Sequence, residues 1–214
     1  MKMLEALPRG DFLALVGMKS PTLDQRVLTG EAAFAFGCQK PAHAGEYLAL
    51  DAAAMLLSSM LNRLAGLELK AAADEVREHW NGWLTLLTKA ERFPKPNHPE
   101  QFFAVAWLSL EPRRYRVMLG EAHEIAAELA GESVYTCNFV SIHLLLRLLR
   151  NNARRANIAL PERLTVADRD PGYENWLREI DAHRERAAAR LKAKAKTKGR
   201  RPAPAPARKR LVKA

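Results

Sequence analysis

Apolar residues recur at intervals of three and four positions between residues 69 and 87, and charged residues fill most positions between them. This spacing places the apolar side chains on one face, so it predicts a long amphipathic α-helix. Trp80 and Trp83 belong to that face. We expect both rings to anchor the core rather than to form a stacking platform, because aromatic side chains bury a large apolar area.

A pair of short helices joined by a tight turn is predicted near the amino terminus. The first covers residues 11–16 and ends at Gly17. In the second, Ser20 is expected to cap the helix and Pro21 to occupy its first position, where the missing N–H costs nothing. Gly30 suits the position just after this helix, because glycine adopts the left-handed conformation without strain.

The segment that follows predicts a small β-hairpin. Residues 34–36 and 47–50 are two short apolar pieces on either side of a polar connection that contains Pro41. Asp51 is then expected to cap a helix that ends close to Gly66.

Three prolines between Phe93 and Pro99 interrupt any helix and predict a domain boundary. Beyond this boundary the pattern is mixed, with strands predicted at 102–110, 115–119 and 133–141 and helices at 121–130, 142–158 and from 170 onwards. The sequence predicts a mainly α-helical chain with a small α+β unit. Its three regions are a winged helix-turn-helix-like head (1–92), an α+β domain for sensing or dimerisation (101–165), and a helix that runs into a disordered basic tail (166–214).

The net charge of +10 comes from one end of the chain. Residues 183–214 contain 13 of the 34 basic side chains and one of the 24 acidic ones, so this segment carries +12 and the other 182 residues carry −2. A segment rich in charge, alanine and proline buries too little apolar surface to fold. The tail is therefore predicted to be unstructured and to attract a polyanion, and a purely solubilising tail is the alternative.

Cys38 and Cys137 are isolated in the sequence, with no His or Cys at ligand spacing. This argues against a disulfide framework and against a zinc site. The start of the chain has no apolar core of signal-peptide length, and no apolar run approaches the roughly 18 residues that a membrane span needs. We therefore expect a soluble cytoplasmic protein that binds neither a membrane nor a cofactor.

Motifs for catalysis are sparse. His123-Glu124 lacks the second histidine, four residues after the first, that a zinc-protease helix requires. The chain has no glycine-rich phosphate loop and no Gly-x-Ser-x-Gly elbow. These observations predict that the protein is not an enzyme and has no metal site.

The segment 11–80 resembles the head of MerR-like helix-turn-helix proteins, over about a third of the chain. The matching pieces are the turn Val16–Ser20, the helix Thr22–Thr29, the wing-like Phe34–Phe36 with Tyr47–Asp51, and Ala65–Ala72 leading into Val76-Arg77. The resemblance implies a DNA-binding head in which a recognition helix enters the major groove of the duplex.

The chain departs from this family at charged positions. Members usually carry an Arg-Tyr pair in the recognition helix and an arginine before the wing tyrosine, where this chain has Asp24-Gln25 and Glu46. The phosphate contacts of the family are therefore not carried over to these acids. Residues 1–50 hold five basic and five acidic side chains, so the head by itself is expected to bind DNA weakly.

Candidate DNA contacts follow from the predicted helix and the tail. Thr22, Gln25, Arg26 and Thr29 are the polar side chains that the helix offers to a groove, and glutamine and arginine suit adenine and guanine edges. An ordinary solvated face is the alternative for this set. The further candidates for backbone contacts are Lys19, Ser20, Lys40, Arg200, Arg201, Arg208, Lys209 and Arg210.

The predicted helix 142–158 combines a run of leucines (Leu144, Leu145, Leu146, Leu148 and Leu149) with four arginines (Arg147, Arg150, Arg154 and Arg155). One interpretation is the seam of a homodimer with a basic edge that touches phosphate. The other is a core helix with a solvated end.

The leading hypothesis is a transcriptional regulator or an accessory DNA-binding protein that acts on double-stranded DNA. The alternative is a protein-interaction module, such as an antiactivator, that keeps a helix-turn-helix shape without binding DNA. A third hypothesis is binding of RNA, or of nucleic acid without sequence preference, through the tail alone. The sequence identifies no small-molecule effector.

Overall fold

A computed structural model describes residues 6–41, 46–92 and 99–165, with the side chain of residue 92 left out. The chain divides into two compact units, Met1–Ala167 and Asp168–Ala214, and all described residues belong to the first. Predictions for 93–98, for the last helix and for the tail lie outside the described residues. The tail candidates among them are Arg200, Arg201, Arg208, Lys209 and Arg210.

The described part is mainly helical with one small antiparallel sheet, as predicted. The helices are α1 (Arg9–Val16), α2 (Ser20–Thr29), α3 (Ala49–Ala65), α4 (Leu69–Glu78), α5 (Trp80–Arg92), α6 (Ala122–Glu128) and α7 (Ile142–Ala156). The strands are β1 (Gln101–Leu110), β2 (Arg113–Glu121) and β3 (Thr136–Ser141), in the spatial order β2-β1-β3. The sequence therefore predicted each of these three strands and the turn between β1 and β2.

The β-hairpin predicted from 34–36 and 47–50 is wrong. Ala35–Gly37 forms a 3₁₀ turn, Tyr47 pairs with Leu7 in an isolated bridge, and α3 begins at Ala49. The apolar residues of this segment are drawn into the core instead of alternating across a ribbon: the rings of Tyr47 and Phe12 stack with centroids 4.2 Å apart. The described residues therefore contain no wing of the expected kind.

Two predicted helix caps are also wrong. Lys19, not Ser20, is the residue before α2, and the Ser20 side chain is not used as a cap. Leu48 precedes α3, so Asp51 lies inside the first turn of that helix. Its carboxylate accepts hydrogen bonds from the N–H of Leu48 at 2.7 Å and from the N–H of Ala35 at 2.8 Å, which ties the 3₁₀ turn to the helix start.

The predicted ends of the first three helices are confirmed. Gly17, Gly30 and Gly66 follow α1, α2 and α3 in the left-handed conformation, with φ of 64°, 76° and 74°. A side chain is strained in this conformation, so glycine stops each helix at little cost. The arrangement of two helices about a tight turn at Gly17 is thus present.

The long helix predicted over 69–87 is divided at His79 into α4 and α5. The expected core role of the two tryptophans is confirmed, because Trp83 is fully buried and Trp80 is nearly so. The break at His79 brings the indole N–H of Trp83 to the carbonyl of Val76 at 2.9 Å. A carbonyl near the end of α4 thereby gains a donor within the core.

The sheet joins the two halves of the described chain. The indole N–H of Trp107 on β1 donates to the carbonyl of Ala65 at the end of α3, at 2.9 Å. On the other face of β1, Ala104 and Ala106 pack with Ile125 of α6 in a second small cluster. Described residues on the two sides of 93–98 therefore contact one another.

Helix α7 packs against α1 and α3, so the core-helix interpretation describes its leucines better than a dimer seam does. Leu145, Leu146 and Leu149 are buried within the chain. The side-chain amide of Asn152 donates to the carbonyl of Leu15 at 2.7 Å, at the end of α1. Leu144 is half-buried, and Leu148 is exposed, at 37%.

Candidate nucleic-acid interface

Helix α2 lies on the surface and is held to the body by few side chains. Leu23 is its one buried residue, and Thr22, Gln25, Leu28 and Thr29 are exposed. The side chains of Thr22 and Gln25 make no hydrogen bond to another described residue. Leu28, on the same face, is 83% exposed. The exposed face therefore offers a hydroxyl, an amide and an apolar group to a partner.

Three of the predicted contacts on α2 are already engaged within the protein. Arg26 is partly buried, and its guanidinium donates to the hydroxyl of Ser59 on α3 at 3.2 Å. Burial lowers the pKa of Arg26. The hydroxyl of Thr29 donates to the carbonyl of Gln25 at 3.0 Å, and the hydroxyl of Ser20 accepts from Arg9 at 2.9 Å. Arg26 therefore holds α2 against α3.

The acid of the predicted recognition helix is paired with an arginine. The guanidinium of Arg9 on α1 lies 2.5 Å from the carboxylate of Asp24, and this hydrogen bond raises the pKa of Arg9. Arg9 also donates to the hydroxyl of Tyr47 at 3.4 Å. Because Arg9 offsets the charge of Asp24, the exposed face of α2 does not present this carboxylate unpaired to a partner. Nothing in the local sequence around either residue predicted this pair.

The predicted lysine contacts are exposed but lie in different places. Lys19 immediately precedes α2, next to its exposed face. Lys40 follows the 3₁₀ turn, and the exposed Glu46 lies shortly before α3. The structure thus groups Lys19 with Thr22 and Gln25, and it provides no contact that joins Lys40 to them.

A second basic surface lies on α7. Arg147, Arg150, Asn151 and Arg154 follow one another on one side of the helix and line a groove of about 620 Å³. The far wall of the groove includes Arg163. Arg150 is fixed in place, because its guanidinium donates to the carbonyl of Glu162 at 2.7 Å and lies 3.8 Å from the carboxylate of Glu91.

Helix α7 is also fastened to the end of α1. Asn152 contacts the carbonyl of Leu15, two residues before the glycine that begins this turn. Arg154 and Arg155 follow Asn152 within one helical turn, and both are exposed. The sequence indicated the basic edge of this helix, but its position beside the helix pair depends on the tertiary packing.

Other kinds of site receive no support from the described part of the chain. Within residues 6–41, 46–92 and 99–165, no three side chains of the His, Cys, Asp and Glu types come together as metal ligands would. A search of the same residues for a helix of sufficient length and apolarity to cross a bilayer finds none. In comparisons with known proteins, no family model matches this chain and no curated protein matches it in sequence.

Proposed function

We propose that this protein is a DNA-binding transcriptional regulator, or an accessory DNA-binding protein, that contacts duplex bases through α2. One observation carries the proposal: α2 buries only Leu23 and leaves Thr22 and Gln25 exposed and without hydrogen-bond partners among the described residues. A helix that projects in this way after a tight turn is the element that helix-turn-helix proteins place in the major groove.

The chemistry of the exposed face suits base edges. A glutamine side chain can bond to the N6 and N7 positions of adenine, and a threonine hydroxyl can donate or accept. The exposed Leu28 offers an apolar surface to a thymine methyl group. Arg26 is better suited to holding α2 on α3 than to a fully extended bidentate contact with guanine, since it donates to Ser59.

Attraction to the phosphate backbone would come chiefly from the tail. Phosphate neutralisation normally supplies much of the affinity for DNA, and residues 1–50 carry no net charge. Residues 183–214 carry +12. In this proposal the tail provides attachment that depends on salt and not on sequence, and α2 provides the sequence preference.

Replacing Gln25 with alanine tests the role of α2. A preferred sequence would first be selected from a pool of random duplexes with the unmodified protein. Gln25→Ala is expected to relax the preference at one base pair, at a cost of about 1–3 kcal/mol in discrimination, and to leave binding to unrelated duplexes unchanged. Asn81→Ala, an exposed amide on α5, is the matched control. An unchanged preference in Gln25→Ala would remove α2 from base recognition.

Shortening the chain after Ala182 tests the role of the tail. We expect affinity for any duplex to fall roughly tenfold or more at low salt, with a shallower dependence of log K on log salt, because phosphate contacts are lost. A full-length version in which 183–214 is replaced by a neutral segment of equal length should behave like the shortened chain. Equal affinity and equal salt dependence in all three proteins would contradict a role for the tail.

Two observations favour a second candidate function, the protein-interaction module. Residues 1–50 have no net charge, and Leu28 is 83% exposed on the same face of α2 as Gln25. In that case the full-length protein would bind no duplex preferentially at any salt concentration. Efficient competition by unrelated RNA would instead indicate nucleic-acid binding through the tail alone.

A further inference from the structure

We infer that the groove lined by α7 binds the phosphate backbone of a DNA duplex. This inference rests on the proposed function and deepens it, because it assigns a second DNA contact to folded residues outside the helix pair. The contact would be independent of base sequence. Its chemical partners are the backbone phosphates, and the side chains that carry it are Arg147 and Arg154, with Asn151 between them.

The charge of α7 is entirely positive. Its 15 residues include four arginines and no acidic residue. Arg147 and Arg154 are separated by seven positions, so they lie on the same side of the helix about 10 Å apart along its axis. Both are exposed, and neither has an ion-pair partner among the described residues. Their guanidinium groups are therefore available to an external anion.

The acids around the groove are largely engaged. The Glu91 side chain is 1% exposed, and its carboxylate accepts hydrogen bonds from the N–H of Leu164 at 2.7 Å and from the N–H and hydroxyl of Thr165 at 3.0 and 2.6 Å. Glu100 accepts a hydrogen bond from the hydroxyl of Ser141. Glu162 is exposed, and it is the acid of the groove with no side-chain partner among the described residues.

The bonds to Glu91 also shape the far wall of the groove. They hold Leu164 and Thr165 against the end of α5, directly after Arg163. Arg150 supports the same wall from α7 by donating to the carbonyl of Glu162. Arg163 lines the groove together with Arg147 and Arg154. Guanidinium groups bind phosphate oxygens in a planar, two-point geometry, which favours phosphates over other anions as the occupant.

The spacing of the arginines suits an extended partner. Arg147 and Arg154 lie on the same side of α7, and Arg163 lines the same groove. An extended phosphate backbone can use all of these charges at once, whereas a small anion or a short acidic peptide can use only a few.

The double substitution Arg147→Gln with Arg154→Gln tests the inference in the full-length protein. Arg150 is left intact because it supports the groove wall. We expect the slope of log K against log salt to decrease by about 2, since each phosphate contact contributes about 0.9. The preferred sequence should be unchanged. The Arg147→Lys, Arg154→Lys version keeps the charge and should retain most of the slope.

The control is Arg113→Gln with Arg114→Gln, which removes two exposed arginines from the turn between β1 and β2. This control lowers the net charge by two, as the α7 variant does. It should leave the slope of log K against log salt unchanged within the error of the measurement. If the α7 and control variants lose equal slope, the effect is one of net charge and the inference fails. If the α7 variant keeps the original slope while Gln25→Ala still relaxes the preference, the inference fails and the proposed function stands. Absence of duplex binding by the unmodified protein would overturn both.

Discussion

Replacing Asp51 with alanine is expected to lower the free energy of unfolding by about 3 kcal/mol at pH 5. The side chain is 2% exposed, and its two oxygens accept the N–H groups of Leu48 and Ala35. Alanine would leave both donors without a partner, and each buried donor that loses its partner costs about 1–3 kcal/mol. Urea unfolding of both proteins measures the difference. Asp11→Ala, which removes an acid from the first turn of α1, should cost far less.

The stability contributed by Asp51 also depends on pH. Burial raises the pKa of this carboxyl group from 3.8 to about 6. Between these two values the unfolded chain has released the proton and the folded protein retains it, so stability falls as the pH rises through this window. The loss caused by Asp51→Ala should therefore be smaller at pH 7.5 than at pH 5. Asp51→Asn does not titrate, and it should remove this part of the pH dependence. An Asp51→Ala effect below 1 kcal/mol at pH 5 would contradict the account.

Replacing Arg77 with methionine is also expected to lower the free energy of unfolding by about 3 kcal/mol. The Arg77 side chain is 8% exposed, and its guanidinium donates to the carbonyls of Gly30 at 3.2 Å and Ala32 at 2.5 Å. It also pairs with the carboxylate of Asp74. Methionine fills a similar volume but leaves these acceptors without a donor.

The loss should be concentrated near α2, because Gly30 and Ala32 directly follow that helix. Hydrogen exchange at residues 20–30 of Arg77→Met is expected to accelerate more than exchange in α3. Arg113→Met is the control, because Arg113 forms an exposed ion pair with Glu68, and such pairs contribute about 0–1 kcal/mol. Equal stabilities of the two variants would show that Arg77 does not anchor the end of α2.

The sequence pattern was sufficient to predict elements whose backbone conformation is decided by residues close together in the sequence. The strands β1, β2 and β3 were predicted, and so were the glycines that end α1, α2 and α3. The hydrophobic pattern gave a wrong prediction for residues 34–50, where it suggested a β-hairpin. The rings of Phe34 and Tyr47 instead pack around Phe12, far away in the sequence, and no local signal encodes that contact.

The candidate interface was predicted only in part. Thr22, Gln25 and Lys19 were identified from the helix pattern, and the structure leaves all three exposed. Arg26 was identified with them, but its bond to Ser59 depends on how α2 meets α3. The pairing of Arg9 with Asp24 was not anticipated, since it joins two helices across the turn.

The sequence by itself determined that α1, α2 and α3 end at glycines, where the three strands lie, and that the positive charge lies at the carboxyl end. These properties depend on backbone preference, side-chain period and composition, all of which are local. Only the tertiary structure decided that α7 buries most of its leucines inside the chain and turns Arg147, Arg150 and Arg154 to a groove beside the end of α5. Which face of an amphipathic helix is covered, and by what, depends on contacts between residues more than a hundred positions apart, such as Asn152 and Leu15.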